Sequence, residues 1–190
     1  MMMTNKEITA ESLTPDNRFV SELVIQGDME RITQLYGHPY TIKGTVVHGQ
    51  ALGRTLGYPT INLGGEADLY VSPKPGIYFG TSVILEGDRE TEQYNAIISA
   101  GNRPTVGGES YFIEAFLLDY SGDLYGRKVL LEFLKYVREE ITFENLDQLM
   151  KQMKLDENHA KWKTGFHSRN RLDYIILFNL SSQGISRVGK

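Results

Sequence analysis

From Thr41 to Val137 the sequence alternates short β-branched or aromatic runs with glycine-rich turns, and this rhythm leaves few folds open. Thr41 to His48 carries β-branched residues, with Gly44 and Gly49 flanking Thr45-Val46-Val47-His48. Gly76 to Leu85 and Glu92 to Ala100 read as strands joined at Glu86-Gly87-Asp88-Arg89, a hairpin signal. Tyr111 to Asp119 and Lys128 to Val137 are further strands, separated by the turn-rich segment Tyr120 to Gly126. Leu63-Gly64-Gly65 marks a turn, followed by an irregular stretch to Lys74-Pro75-Gly76. Gly101 to Thr105, with Gly107-Gly108, reads as another loop. Repeated short strands with turns between them predict a mainly β protein built on a closed or nearly closed antiparallel barrel.

Helices flank the strands. Thr14-Pro15 reads as an N-cap followed by proline at the first helical position, with Phe19, Val20, Leu23 and Val24 as the apolar stripe. Gly27 ends that helix and Asp28 caps a second, in which Ile32, Leu35 and Tyr36 face inwards, before Gly37 and Pro39 stop it. Near the other end, Asn145 with Gln148 resembles a capping box. Leu146, Leu149, Met150 and Met153 give that helix one stripe, expected to lie against the barrel. Met1 to Leu13 is polar and aperiodic. The expected organisation is a helical segment 1–39, a barrel with its C-terminal helix 40–160, and a divergent basic tail 161–190.

A chain of 190 residues is long enough for one domain with a real core. It has no cysteine, which removes disulfides and thiolate metal sites and fits a reducing compartment. A net charge of −4 gives no nucleic-acid signature. No apolar run approaches the roughly 18 residues of a membrane span, and the N-terminus lacks a signal-peptide core, so a cytoplasmic location is expected. The tail holds Lys161, Lys163, Arg169, Arg171, Arg187 and Lys190 around the apolar run Tyr174 to Leu180. It is compatible with a docked strand or helix, an aggregation-prone end, or a basic arm.

The densest chemistry lies in Gly53-Arg54-Thr55-Leu56-Gly57-Tyr58-Pro59-Thr60-Ile61-Asn62. Glycines let a backbone approach an anion with its N–H groups exposed, and arginine meets phosphate with a planar fork of donors. Tyr58, before proline, is biased towards extended geometry, and Thr60 and Asn62 then share one side of a strand. A hydroxyl and an amide oxygen are hard donors suited to a magnesium ion whose other ligands are phosphate and water. The residues read as a phosphate loop followed by a metal clip, although glycine-rich turns before strands are more often purely structural.

Glu114 is the second candidate. In Tyr111 to Leu118 every other side chain is apolar or aromatic, so both faces look covered, and Glu114 shares its face with Phe112, Phe116 and Leu118. A carboxylate there is costly unless paired or put to use, and burial moves such a group towards the range of a general base. A structural lysine or arginine partner accounts for it equally well. In Val137 to Phe143, Arg138 and Glu140 read by themselves as a solvated pair worth little. Tyr78 reads as packing, Phe143 as core or ligand, and the four histidines lack metal-ligand spacing. No Gly-x-x-x-x-Gly-Lys-[Ser/Thr] phosphate loop and no protein-kinase Gly-x-Gly-x-x-Gly occurs.

Gly-Arg-x-Leu-Gly-[aromatic]-Pro-Thr-x-Asn resembles the signature of riboflavin kinases, including the kinase module of bacterial bifunctional FAD synthetases. The resemblance runs from about Tyr36 to Asp156. It implies a six-stranded antiparallel barrel and transfer of phosphate from ATP to riboflavin, giving FMN and ADP with Mg2+. It implies Glu114 as the catalytic base, Thr60 and Asn62 at the metal, and Gly53, Arg54, Leu56 and Gly57 at the phosphates. By the same likeness Tyr78 lies near the adenine, and Arg138, Phe143 and Tyr125 near the flavin. The implied partners are small molecules, with no membrane and, the basic tail aside, no nucleic acid. Three departures stand out. Ala115-Phe116 follow Glu114 where the family has Thr or Ser then His or Tyr, Ser99-Ala100-Gly101 replaces Asn-Ile-Gly, and the tail beyond about Trp162 is unlike the family. Arg18 to Tyr40 looks like the end of an adenylyltransferase module, but no His-x-Gly-His occurs, so no adenylyl transfer is expected from these residues. The alternatives are a flavin- or nucleotide-sensing module without catalysis, or the kinase fragment of a bifunctional enzyme.

Overall fold

The computed structural model describes residues 15–49, 59–105, 108–141, 148, 151–152 and 154–156. Two helices, α1 (Pro15–Gln26) and α2 (Met29–Tyr36), precede six strands. These are β1 (Tyr40–Val47), β2 (Thr60–Gly64), β3 (Gly76–Glu86), β4 (Arg89–Thr105), β5 (Gly108–Leu117) and β6 (Lys128–Arg138). They close into a barrel in the order β1-β2-β5-β4-β3-β6, every neighbouring pair antiparallel. Closure leaves no long unpaired edge, and alternate residues point inwards to fill the lumen. Ile42, Val46, Tyr78, Ile98, Ala115, Val129, Leu131 and Phe133 form that filling.

The helix punctuation is as the sequence predicts. Asp28 accepts a hydrogen bond from the Arg31 backbone N–H, and Gly37 ends α2 in the left-handed conformation. Val20, Val24, Met29 and Ile32 are buried with the barrel core, and Lys135 bonds Glu30 at 3.0 Å, tying α2 to β6.

The expected loop from Gly101 to Thr105 is instead strand. β4 continues to Thr105 and pairs with β5 down to Thr105 opposite Gly108. The pairing of β3 with β4 starts only at Gly76 opposite Ala100, so among the described residues no strand pairs with that edge of β4 beyond this point. Pro104, which lacks an N–H, is tolerated on such an edge. The irregular stretch after β2 contains a 3-10 turn, Gly65–Leu69. Of the helix expected from Asn145, residues 148, 151–152 and 154–156 are helical; Leu146, Leu149, Met150 and Met153 lie outside the described residues, as does the tail 161–190.

β2 and β3 stand opposite each other in the ring, so the chain between them must cross one end of the barrel. Four tyrosines from four strands hold that crossing. The hydroxyls of Tyr40, Tyr111, Tyr78 and Tyr136 donate to the carbonyls of Val71, Pro73, Lys74 and Pro75 respectively. The Lys74 N–H in turn donates to the Val24 carbonyl at 3.1 Å, fastening the crossing to α1. A segment with two prolines cannot satisfy its carbonyls in a regular ladder, and the tyrosines supply the missing donors.

Ser82 is the exception to that economy. It is 0% exposed, and among the described residues its Oγ has no hydrogen-bond partner. Removing the hydroxyl in Ser82→Ala is expected to raise stability by about 1 kcal/mol, because a buried unpaired polar group is lost and little volume with it. Urea unfolding checks this; a decrease would mean the hydroxyl finds a partner in solution.

Candidate active site on the outer wall of the barrel

The site is built on registry. Asn62 on β2 stands directly opposite Glu114 on β5, and Glu114 directly opposite Ser99 on β4. One step along, Thr60 is opposite Phe116, and Phe116 opposite Ile97. Directly paired residues project to the same face of a sheet, and alternate residues share it. The opposite face carries the buried Ile113, Ala115 and Leu117, so Thr60, Asn62, Glu114 and Ser99 all lie on the outer wall. A hydroxyl, an amide, a carboxylate and a second hydroxyl thus meet across three strands, β2 being far in sequence from the consecutive β4 and β5.

Glu114 is therefore not enclosed on both sides. Its face, shared with Phe112 and Phe116, is half-buried, while only the lumen side is closed. Strands of an antiparallel barrel, whose lumen lies on one face only, show this one-sided burial; the apolar residues at 112 and 116 hid it in the sequence. The cross-strand neighbours of Glu114 on that face are Asn62 and Ser99. Ala115, where the family has a polar residue, points into the core and is 0% exposed.

Gly49 completes the corner around Asn62. A Cβ at Gly49 would lie 2.2 Å from the Asn62 side-chain nitrogen, so the backbone after β1 rests directly on the amide. The connection 50–58 leaves from Gly49 and returns at Pro59, so it starts and ends beside Asn62 and Thr60. Gly53, Arg54, Leu56 and Gly57 themselves lie outside the described residues, and so does Phe143. Sequence reasoning passed over Gly49, because a contact between residues 49 and 62 depends on the pairing of β1 with β2.

Three further residues expected at the ligands lie among the described residues. Tyr78 is 0% exposed, packed edge-on against Phe133 and Tyr136 with its hydroxyl on Lys74, and presents no surface to a nucleotide. Arg138 neither pairs with Glu140 nor points freely outwards. Its Nη2 and Nε reach Asp156 at 2.6 and 3.3 Å, and Asp156 is 4% exposed. That bidentate pair clamps the helix around 151–156 to the end of β6. Tyr125 stacks on His48 with ring centroids 3.8 Å apart, and its N–H is held by Asp123.

The donor set suits a magnesium ion bound mostly through phosphate and water. Thr60 and Asn62 offer two hard oxygens on one face, with the Glu114 carboxylate alongside. Among the described residues no group of three or more His, Cys, Asp or Glu gathers into an all-protein metal cage.

A closed six-stranded antiparallel barrel with a polar cluster on its outer wall defines the class as a small antiparallel β-barrel protein. Comparison with known proteins then gives the family. Residues 36–163 match the riboflavin kinase (Flavokinase) family, and the chain belongs to it. It is 37% identical over 142 residues to the bifunctional riboflavin kinase/FMN adenylyltransferase of Escherichia coli K12, covering 75% of this chain and 44% of that protein. The chain spans about half the length of the curated relatives it matches. Among solved structures, a chain described as a macrolide-efflux protein from Streptococcus pneumoniae superposes with TM-score 0.69 and 31% identity, covering 82% of this chain and 49% of that one. Riboflavin kinase from Trypanosoma brucei, at 20% identity and TM-score 0.50, shares the fold, with 78% and 88% covered. Among the described residues, no helix is long and apolar enough to cross a membrane.

Proposed function

We propose that this chain is a riboflavin kinase, transferring the γ-phosphoryl group of ATP to the ribityl 5′-hydroxyl of riboflavin. The ribityl oxygen attacks the γ-phosphorus, the bond from that phosphorus to the β–γ bridging oxygen breaks, and ADP leaves. The hydroxyl proton passes to the Glu114 carboxylate. What supports the reading, beyond family membership, is the direct cross-strand pairing of Asn62 with Glu114. It sets a hard oxygen donor beside a proton acceptor on one open wall, with Thr60 one step away. Thr60 and Asn62 are the residues that would hold magnesium, which when bound neutralises phosphate charge and orients it. Gly53, Arg54, Leu56 and Gly57 are assigned to the phosphates on sequence pattern. Positioning and charge neutralisation supply most of the catalysis in phosphoryl transfer, so a wall with few catalytic side chains is sufficient.

The test is product formation. Purified chain with riboflavin, ATP and magnesium is expected to yield FMN and ADP in equal amounts on chromatography, without FAD. Asn62→Ala is expected to raise the magnesium needed for half-maximal rate by about tenfold. Flavin or nucleotide binding without any FMN would replace the kinase with a sensing module. The appearance of FAD would mean that these residues carry an adenylyltransferase without His-x-Gly-His.

A further inference from the structure

The reaction scheme leaves Glu140 without a task, yet its carboxylate is seated on the same wall. The residue follows β6 and reaches across to β4. Ser99 Oγ donates to its Oε1 over a long 3.4 Å. At Gly101, two residues further along β4, a Cβ would lie 2.7 Å from Oε2 and 2.9 Å from Oε1. The carboxylate therefore rests on bare backbone, in the space that any side chain at 101 would fill. Gly101 has no positive φ that would itself demand glycine, so the close approach of Glu140 is the steric constraint there.

Ser99 is the cross-strand neighbour of Glu114, and Gly101 that of Phe112, so Glu140 borders the proposed base from the next strand. Its charge also reaches Tyr111: burial first, and then Glu140, raise that hydroxyl above the ordinary tyrosine range. The next residue, Ile141, is 48% exposed, and Phe112 and Phe116 on the adjoining strand are half-buried. Arg138 is fastened to Asp156 on the other side. The segment 138–141 is thus pinned twice, by Arg138 on the helix and by Glu140 on β4, where Gly101 stands opposite Phe112.

We propose that Glu140 is a positioning residue: by docking on Ser99 and the bare backbone of Gly101, it holds segment 138–141 beside Glu114 and sets the affinity of this wall for the flavin. The identity of that ligand rests on the kinase reading; the docking does not. A flat ring system with a hydroxylated tail gains from a fixed apolar edge, because ordering a loose segment on binding is subtracted from affinity.

Glu140→Ala and Gly101→Ala break the contact from its two sides. Each is expected to weaken riboflavin binding by about tenfold in a flavin-fluorescence titration and to raise the riboflavin KM equally, with kcat and the ATP KM within about twofold of wild type. Glu140→Gln retains an acceptor for Ser99 and the same shape, so it is expected to keep wild-type affinity. The double variant is expected to be no worse than either single one, since both remove one interaction. Unchanged riboflavin affinity in both single variants overturns the proposal, as does an equal loss for both substrates. If thermal melting shows that Glu140→Ala does not fold, Gly101→Ala decides. A wild-type chain that binds riboflavin without forming FMN would refute the kinase reading alone, because the binding comparison still stands. Wild-type chain that binds no riboflavin would overturn both.

Discussion

Glu114→Gln is expected to lower turnover by about 10²–10⁴-fold while nucleotide affinity stays within about twofold of wild type. Glutamine keeps the size of the side chain but cannot take the proton that the attacking hydroxyl must lose. The outer-wall location sharpens the expectation. Glu114 is half-buried rather than enclosed, so the substitution empties no core volume, and a stability loss should not mask the kinetic one. Steady-state FMN formation measures the first quantity and nucleotide titration in magnesium the second. A variant that turns over at the wild-type rate would move the base elsewhere on the wall. One that loses nucleotide affinity as strongly as turnover would make Glu114 part of the metal and phosphate site instead.

The second large effect is expected at alkaline pH, from the tyrosines that hold the chain crossing. Tyr40 is 3% exposed and Tyr78 0%, and burial pushes both hydroxyls far above the ordinary tyrosine range. In an unfolded chain a tyrosine gives up its proton at about pH 10. The folded chain therefore keeps protons that the unfolded chain releases. Stability from this source is complete below about pH 10 and is lost progressively above it. Each enclosed tyrosine removes about 1.4 kcal/mol per pH unit in that range, roughly 3 kcal/mol for the two. Against a total of about 5–15 kcal/mol, one or two pH units are enough to open the barrel. Denaturant unfolding at about pH 8, 10 and 11 reads the slope directly. Tyr78→Phe should lose about 1–3 kcal/mol at neutral pH, by orphaning the Lys74 carbonyl, and should lower the slope by about 1.4 kcal/mol per pH unit. A flat profile to high pH would mean that these hydroxyls ionise freely in the folded chain.

Much of the fold was written locally. Asp28, Gly37 and the Gly87-Asp88 turn each act through their own backbone neighbourhood, so the sequence announced the helix ends and the β3–β4 hairpin directly. Period-two patterning placed Thr60 with Asn62, and the family signature named both along with Glu114. The sequence was misleading where a neighbour decides the outcome. Gly101 to Thr105 has loop composition but becomes strand because β5 pairs with it. The strand around Glu114 looks buried on both sides, yet only the barrel lumen covers one of them. Arg138 looks like a surface charge and is instead committed to Asp156, 18 residues on.

What the sequence determined by itself was therefore the inventory: two capped helices, a series of short strands, a glycine- and arginine-bearing connection, and a carboxylate in an apolar run. Propensity, capping and turn chemistry act over a few residues, and these features need nothing more. Tertiary structure alone decided which strands became neighbours and hence which side chains met. The barrel order set Asn62 beside Glu114 and Ser99, sent the chain across the barrel end beneath four tyrosines, and brought Glu140 onto Gly101. The physical reason is register: a cross-strand contact joins residues tens of positions apart, and its energy exists only once the ring of strands has closed.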